Sequence, residues 1–200
     1  MCSIIVSTNA EKTKELIDLN QHRGSFSFSS TEFDDKIRPD SQVKGFGEYA
    51  GPVTDQLQVC HVQAPTGGMI QDANRIHPTQ IRDTMLWHNG LITPRGIRYL
   101  QEKLQSDETF DTKLLHQALD QFGFEILSEI EGLFSCVYYN KELFMFRTRH
   151  GKLYTHNGDV SSERFENSRC INADTVYRLN LEEIAKFKTK RFNFIVPGEL

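Results

Sequence analysis

The sequence lacks the features that mark membrane-spanning, metal-binding and disulfide-stabilised proteins. No apolar run approaches the roughly 18 residues of a membrane span, and no charged segment precedes an apolar one at the amino terminus. The four cysteines have no Cys-x-x-Cys spacing, and no His-x-x-x-His or Cys/His cluster suggests a metal. These absences favour a cytoplasmic protein with free thiols, no membrane partner and no bound metal.

A basic excess is also missing. The formal net charge is -4 and the pI is about 6.0, so nucleic acid is not expected as the main partner. Hydrophobic residues make up 38% of the chain and charged residues 25%, as in ordinary globular proteins. No internal repeat or shift in composition divides the 200 residues, and residues 1–200 are therefore predicted to form a single domain.

The order of the predicted elements indicates an α+β fold with antiparallel sheets. Residues 31–55 are charged, contain Gly and Pro, and are predicted to be a long loop. Residues 181–195 form a basic, aromatic tail that is predicted to be a terminal helix and strand or a partner-binding arm. Alternation and β-branched content predict strands at 2–7, 25–29, 57–62, 84–87, 133–139, 143–147, 152–156 and 175–179, with another near Ile171.

Helices are predicted at three places. Thr8 and Glu11 have capping-box spacing and open a short helix that ends near Asn20. Thr93-Pro94 is a strong helix start. Asp111 is predicted to cap a third helix, which Gly123 ends.

Cys2 is the first candidate for chemistry. If Met1 is removed, a thiol and a free α-amino group share one residue, and the amine, with a reference pKa of about 7.7, can accept the thiol proton near neutral pH. The alternative is an inert buried cysteine at the start of a strand. An Asn89-Gly90 pair downstream offers an amide donor and a backbone N–H for a developing oxyanion. Its alternative is an ordinary Asn-Gly turn between apolar segments.

Several short segments, in order over residues 2–180, resemble the class II glutamine amidotransferase (glutaminase) domains of the N-terminal nucleophile hydrolases. Such domains stand at the front of asparagine synthetase and glucosamine-6-phosphate synthase. The segment His88-Asn89-Gly90-Leu91-Ile92 is close to the family's oxyanion-hole motif, and residues 61–68 resemble its His-Thr-Arg-Trp-Ala-Thr-His-Gly stretch. The order and spacing of the segments together make the resemblance specific. The matching segments are Met1-Cys2-Ser3-Ile4, His22-Arg23-Gly24, 61–68, 74–78, His88-Asn89-Gly90-Leu91-Ile92, 107–112, 131–138, 147–154 and Ser161-Ser162-Glu163.

The resemblance implies a four-layer αββα sandwich, with residues 181–200 as a tail beyond it. It implies Cys2 as the nucleophile, with Asn89 and Gly90 as the oxyanion hole. It makes Asp111 the carboxylate that pairs with the substrate's α-ammonium, although the residue could be only a helix cap. Thr66 is placed near the substrate carboxylate, and Arg23 in a turn near the nucleophile. No cofactor is implied.

The chain departs from the family pattern where the substrate is recognised. Gln63 stands where the family has the arginine that holds the substrate carboxylate, and a neutral amide cannot form a bidentate ion pair. Loss of such a pair could cost roughly 2–5 kcal/mol in binding. Ala64 and Gly67 replace the family's Trp and His. Arg75 or Arg82 could supply the missing charge.

Three functions follow as hypotheses. The first is a stand-alone thiol amidohydrolase that releases ammonia from glutamine or a related carboxamide, which includes a glutaminyl side chain in a peptide. The second is a catalytically silent binding or regulatory module with the same fold. The third is a subunit that supplies ammonia to a separate synthase, because the sequence contains no Ser-Gly-Gly-x-Asp-Ser pyrophosphate loop and no sugar-isomerase domain.

Overall fold

Two antiparallel sheets carry most of the chain in the computed structural model, which describes residues 2–64 and 72–190. In chain order the strands are β1 (Ser3–Ser7), β2 (Ser27–Phe33), β3 (Pro39–Phe46), β4 (Leu57–Gln63), β5 (Thr79–Ile81), β6 (Thr84–Ile92), β7 (Gly132–Asn140), β8 (Leu143–Arg147), β9 (Tyr154–His156), β10 (Asp159–Ser161), β11 (Arg169–Cys170), β12 (Thr175–Arg178) and β13 (Glu183–Lys186). The first sheet has the order β11-β9-β10-β1-β4-β2-β3, and the second has the order β13-β12-β8-β7-β6-β5. Strand β1 therefore lies inside its sheet, hydrogen-bonded to β4 and β10.

Three α-helices flank the sheets. They are α1 (Ala10–Asn20), α2 (Pro94–Leu104) and α3 (Asp111–Phe122), with short 3-10 helices at Gln21–Arg23, Ala73–Arg75 and Gly123–Ser128. Thr93 caps α2 as predicted, since its hydroxyl accepts a hydrogen bond from Gly96 N. None of the helices in the described segments is both long and apolar enough to cross a bilayer.

Strand alternation creates the four layers. On β1, Ile4 and Val6 pack into a cluster between the two sheets, whereas Ile5 packs with α1 on the outer side. On β6, Trp87 joins the cluster between the sheets and Leu86 joins the core beneath α2 and α3. The order is thus helix, sheet, sheet, helices, and the αββα sandwich expected from the sequence is confirmed.

The long loop predicted at 31–55 is wrong in its first half. Strand β2 continues to Phe33, and β3 follows it as the edge strand of the first sheet. Most residues of β3 are exposed, so the strand has no buried face and no alternating pattern that could reveal it in the sequence. Its backbone hydrogen bonds to β2 hold it in place.

The predicted strand ending at Trp87 is too short. Strand β6 runs through Asn89 and Gly90, which pair with Ser135 and Phe134 of β7, so these residues lie in a strand and not in an Asn-Gly turn. The short strands β5 and β10 were not predicted.

Two helix caps also differ from the predictions. Asn9, and not Thr8, caps α1 through its bond from Lys12 N. Phe110 occupies the cap position of α3, and Asp111 is the first helical residue. In both cases the predicted helix start is displaced by one residue.

Candidate active site

Cys2 stands immediately before β1, at the head of an interior strand. Its side chain is half-buried, and the Sγ lies 3.6 Å from the carbonyl oxygen of Ala64, to which it donates a hydrogen bond. Burial raises the pKa of the Cys2 thiol to about 11, against the opposing effect of that hydrogen bond. The thiol is therefore protonated at neutral pH, and a base must remove its proton when it attacks.

A cavity of about 230 Å³ opens beside this thiol. Four of the seven residues predicted to form the site line its wall, namely Cys2, Gln63, Gly90 and Asp111. They come from β6, from the start of α3 and from the neighbouring ends of β1 and β4, so residues far apart in the sequence meet at one end of the sandwich.

Gly90 allows β6 to approach β7 closely. Its φ is 140°, and a Cβ at this position would lie 2.1 Å from the carbonyl oxygen of Leu133. Both features exclude a larger residue. The glycine therefore brings the backbone of β6 into the cavity wall.

Asn89 is buried next to the cavity but is not among the described residues that line it. Its Nδ2 donates to Ser162 Oγ at 3.0 Å, and the same hydroxyl accepts a hydrogen bond from Ile4 N at 3.0 Å. Ser162 thereby connects the Asn89 amide to the strand that carries Cys2. The sequence motifs included Ser162 only as part of the matching segment Ser161-Ser162-Glu163 and predicted no role for it.

Asp111 presents a carboxylate to the cavity from the first turn of α3. Its Oδ1 accepts a hydrogen bond from Thr112 N at 2.7 Å, and its Oδ2 accepts one from Ile92 N at 3.4 Å. The helix N-terminus stabilises a negative charge at this position. The residue therefore supports the helix start and also carries a charge at the cavity wall.

The side-chain amide of Gln63 is engaged inside the protein. Its Oε1 accepts a hydrogen bond from Ser27 Oγ at 2.8 Å, and its Nε2 donates to the carbonyl oxygen of Arg75 at 3.1 Å. Arg75 itself lines the cavity. Arg82, the other arginine considered from the sequence, is 83% exposed and lies 3.7 Å from Asp120, and it is not among the described lining residues.

Arg23 lies at the end of the 3-10 helix Gln21–Arg23, outside the described cavity lining. Its guanidinium forms an ion pair with Glu163 at 2.6 Å and donates to the carbonyl oxygen of Ser162 at 3.4 Å. Its charge also counteracts, as a minor contribution, the raised pKa of the Cys2 thiol. Thr66 and Gly67 lie outside the described residues.

Two buried histidines, His77 and His88, line the cavity, and a third, His61, packs against His77; the sequence had not indicated that they meet. The rings of His61 and His77 are 4.2 Å apart, and those of His77 and His88 are 6.3 Å apart. Burial lowers the pKa of all three, that of His61 to about 3, and so favours their neutral forms. Within residues 2–64 and 72–190, no group of three or more His, Cys, Asp or Glu side chains is placed to hold a metal ion.

Comparisons with known proteins identify the fold. The chain is similar to the glutamine phosphoribosylpyrophosphate (PRPP) amidotransferase of B. subtilis, whose structure was determined in complex with ADP and GMP, with a TM-score of 0.67 and 16% sequence identity. The match covers 89% of this chain and 47% of that structure, so the chain spans about half the length of its structural neighbour. No family model and no curated protein matches the sequence. The two sheets and their flanking helices thus form the same αββα fold as that structure.

Proposed function

We propose that this chain is a thiol amidohydrolase that releases ammonia from glutamine or a related carboxamide through a thioester on Cys2. The observation that carries the proposal is the meeting of the Cys2 thiol, the Gly90 backbone and the Asp111 carboxylate in one cavity. The fold supports it, since the structural neighbour is by its name a glutamine amidotransferase.

In the proposed reaction, Cys2 Sγ attacks the carboxamide carbon, and the thiol proton passes to the α-amine of Cys2 in the form without Met1. Gly90 N–H and the Asn89 amide donate to the developing oxyanion. Asn89 Nδ2 has two hydrogens, and its bond to Ser162 uses one of them. The C–N bond then breaks, the amine returns its proton to the leaving ammonia, and water hydrolyses the thioester to a carboxylate and the free thiol.

The raised pKa of the thiol is the reason that the proposed reaction includes a base. In the chain that retains Met1, the pKa of about 11 leaves only roughly one Cys2 side chain in several thousand as a thiolate near pH 7.5. An α-amine titrates near 7.7 and is the nearest possible base in the processed chain. The amine acts only in its neutral form.

We therefore predict a pH profile controlled by the amine and not by the thiol. The kcat/KM for ammonia release should rise about tenfold per pH unit below about 7.7 and level off between about pH 8 and 9, because protonation of the amine removes the base. Stopped assays between about pH 5.5 and about pH 9 measure the profile, below the range in which the α-ammonium of glutamine loses its proton. A kcat/KM that climbs without a plateau to about pH 9 would show that the thiolate itself limits the reaction.

A second prediction concerns selective labelling of the four cysteines. A glutamine-like chloroketone should add once, at Cys2, because its recognition requires the cavity. Iodoacetamide should instead label the exposed Cys170 readily and the buried Cys60 and Cys136 slowly. Intact mass and peptide mapping give both readouts, and they also show whether Met1 is removed.

The labelling experiment also tests a second candidate function, a non-catalytic carboxamide-binding module. The raised pKa of the Cys2 thiol and the engagement of the Asn89 amide by Ser162 favour this candidate. Retained Met1 together with no chloroketone adduct would support the binding module against the hydrolase.

If ammonia is released, co-purification of a larger ATP-using protein would identify a synthase that consumes it.

Free thiols require a reducing compartment, so we propose a cytoplasmic location.

A further inference from the structure

Arg75 places a positive charge in the same cavity as Cys2 and Asp111. It closes the 3-10 helix Ala73–Arg75, whose start is capped by the carboxylate of Asp72. Its side chain is 39% exposed, and the residue forms part of the cavity lining. The cavity wall therefore carries one cation, Arg75, and two carboxylates, Asp72 and Asp111, next to the nucleophile.

The contacts of Arg75 fix the guanidinium without using its full hydrogen-bonding capacity. Its Nη2 lies 3.4 Å from Thr109 Oγ1, and its Nε lies 4.0 Å from the carboxylate of Asp72. The guanidinium also lies 5.6 Å from the centroid of the Phe110 ring. Both polar contacts are long for hydrogen bonds, and a guanidinium has five N–H groups, so donors remain for a carboxylate.

These contacts place Arg75 next to Asp111. Thr109 and Phe110, which touch the guanidinium, directly precede Asp111 in the chain. An α-amino acid carries its carboxylate and its ammonium on the same carbon atom. A cation and an anion on adjoining parts of one wall match that arrangement.

Gln63 holds the backbone that carries this arginine. Its amide donates to the carbonyl oxygen of Arg75 and accepts from Ser27, and the residue is only 7% exposed. The engaged amide is poorly placed to bind a substrate carboxylate itself. Its geometry suits a positioning residue.

We infer that Arg75 binds the α-carboxylate of the substrate while Asp111 binds the α-ammonium, and that Gln63 positions Arg75. The inference rests on the proposed function and narrows it to free amino acids that bear a side-chain carboxamide. A glutaminyl residue inside a peptide has neither charge and would be a poor substrate. Arg75 thus takes over, from a different segment, the charge that is missing at position 63.

Binding to the Cys2→Ala protein tests this inference without catalysis. Titration calorimetry would compare L-glutamine with its α-methyl ester, which keeps the ammonium and the side-chain amide but has no carboxylate. The measurements are made at about pH 6.5, where the α-amines of both ligands are mostly protonated. Arg75→Gln should weaken glutamine binding about 10- to 30-fold, the low end for a charge pair because the guanidinium is partly exposed. Ester binding should change less than about twofold.

Arg82→Gln is the matched control, since it removes an arginine paired outside the cavity, and it should leave both affinities unchanged. Equal glutamine affinities in the Arg75→Gln and Arg82→Gln proteins would overturn the inference. So would equal binding of glutamine and its ester by the protein with Arg75 intact, or the absence of glutamine binding. Failure of the proposed function has a different signature, which is glutamine binding without ammonia release when Cys2 is present.

The role of Gln63 is tested in the same background. Gln63→Leu should weaken glutamine binding several-fold and leave ester binding unchanged, because the effect acts through Arg75. The double variant Gln63→Leu/Arg75→Gln should then bind glutamine no more weakly than the Arg75→Gln protein. Additive losses, or an equal loss for the ester, would show that Gln63 does not act through Arg75.

Discussion

Replacement of Cys2 by alanine is expected to abolish ammonia release and to leave the fold intact. Without the sulfur no thioester forms, and the loss of kcat should reach at least about 10⁴-fold, the scale on which removal of a covalent nucleophile acts. Cys2→Ser should be nearly as inactive, because a hydroxyl is harder to deprotonate than a thiol in the same half-buried position. Ammonia release from glutamine, measured with a coupled dehydrogenase assay, gives the result.

Two controls separate a lost nucleophile from a damaged protein. Cys170→Ala removes an exposed thiol from β11, at the far edge of the first sheet, and should keep full activity. Because Cys2 is half-buried and precedes β1, Cys2→Ala should change the free energy of unfolding by no more than about 1 kcal/mol. Activity in the Cys2→Ala protein equal to that of the wild type would rule out the proposed reaction.

Gly90→Ala is expected to have the largest effect on stability. A Cβ at this position would lie 2.1 Å from Leu133 O and 2.6 Å from the Cα of Phe134, so β7 would have to move. The φ of 140° adds strain for any residue with a side chain. Strain of about 1–3 kcal/mol and overpacking of a similar size together predict a loss of roughly 3–5 kcal/mol, measured by denaturant unfolding.

Gly158→Ala is the matched control. Gly158 also has a positive φ, of 89°, but a Cβ there would meet no atom within 4 Å. Its replacement should cost only the backbone strain, about 1–2 kcal/mol. If both substitutions cost the same, the close approach of β6 and β7 would contribute nothing at Gly90. The difference between the two losses in the free energy of unfolding measures the effect of the close approach of β6 and β7.

The sequence predicted those parts of the fold that leave a local signal. Thr93-Pro94 and Gly123 marked helix boundaries that the structure confirms, because caps and breakers act within a few residues. The hairpin of β7 and β8 was also correctly located. Strand β3 was missed, since an exposed edge strand depends on backbone pairing with β2 and has no buried face.

The residues of the site also divide into those that local motifs indicated and contacts that only the structure shows. Sequence motifs pointed to Cys2, Gly90 and Asp111, and the structure brings all three to one cavity. The same motifs suggested Asn89, whose amide the structure holds on Ser162, a partner 73 residues away. Local patterns identify a residue with chemical potential, but they do not show which groups already occupy its hydrogen bonds.

Position 63 shows the limit most clearly. The sequence by itself determined that a glutamine stands there, and that Arg75 and Arg82 were the candidates to supply a missing charge. Only the tertiary structure separated them, by placing Arg75 in the cavity wall and Arg82 on the surface beside Asp120. The physical reason is that composition and spacing fix which charges a chain carries. Their distance from a bound molecule depends on how β4, the segment around Arg75 and the start of α3 pack together.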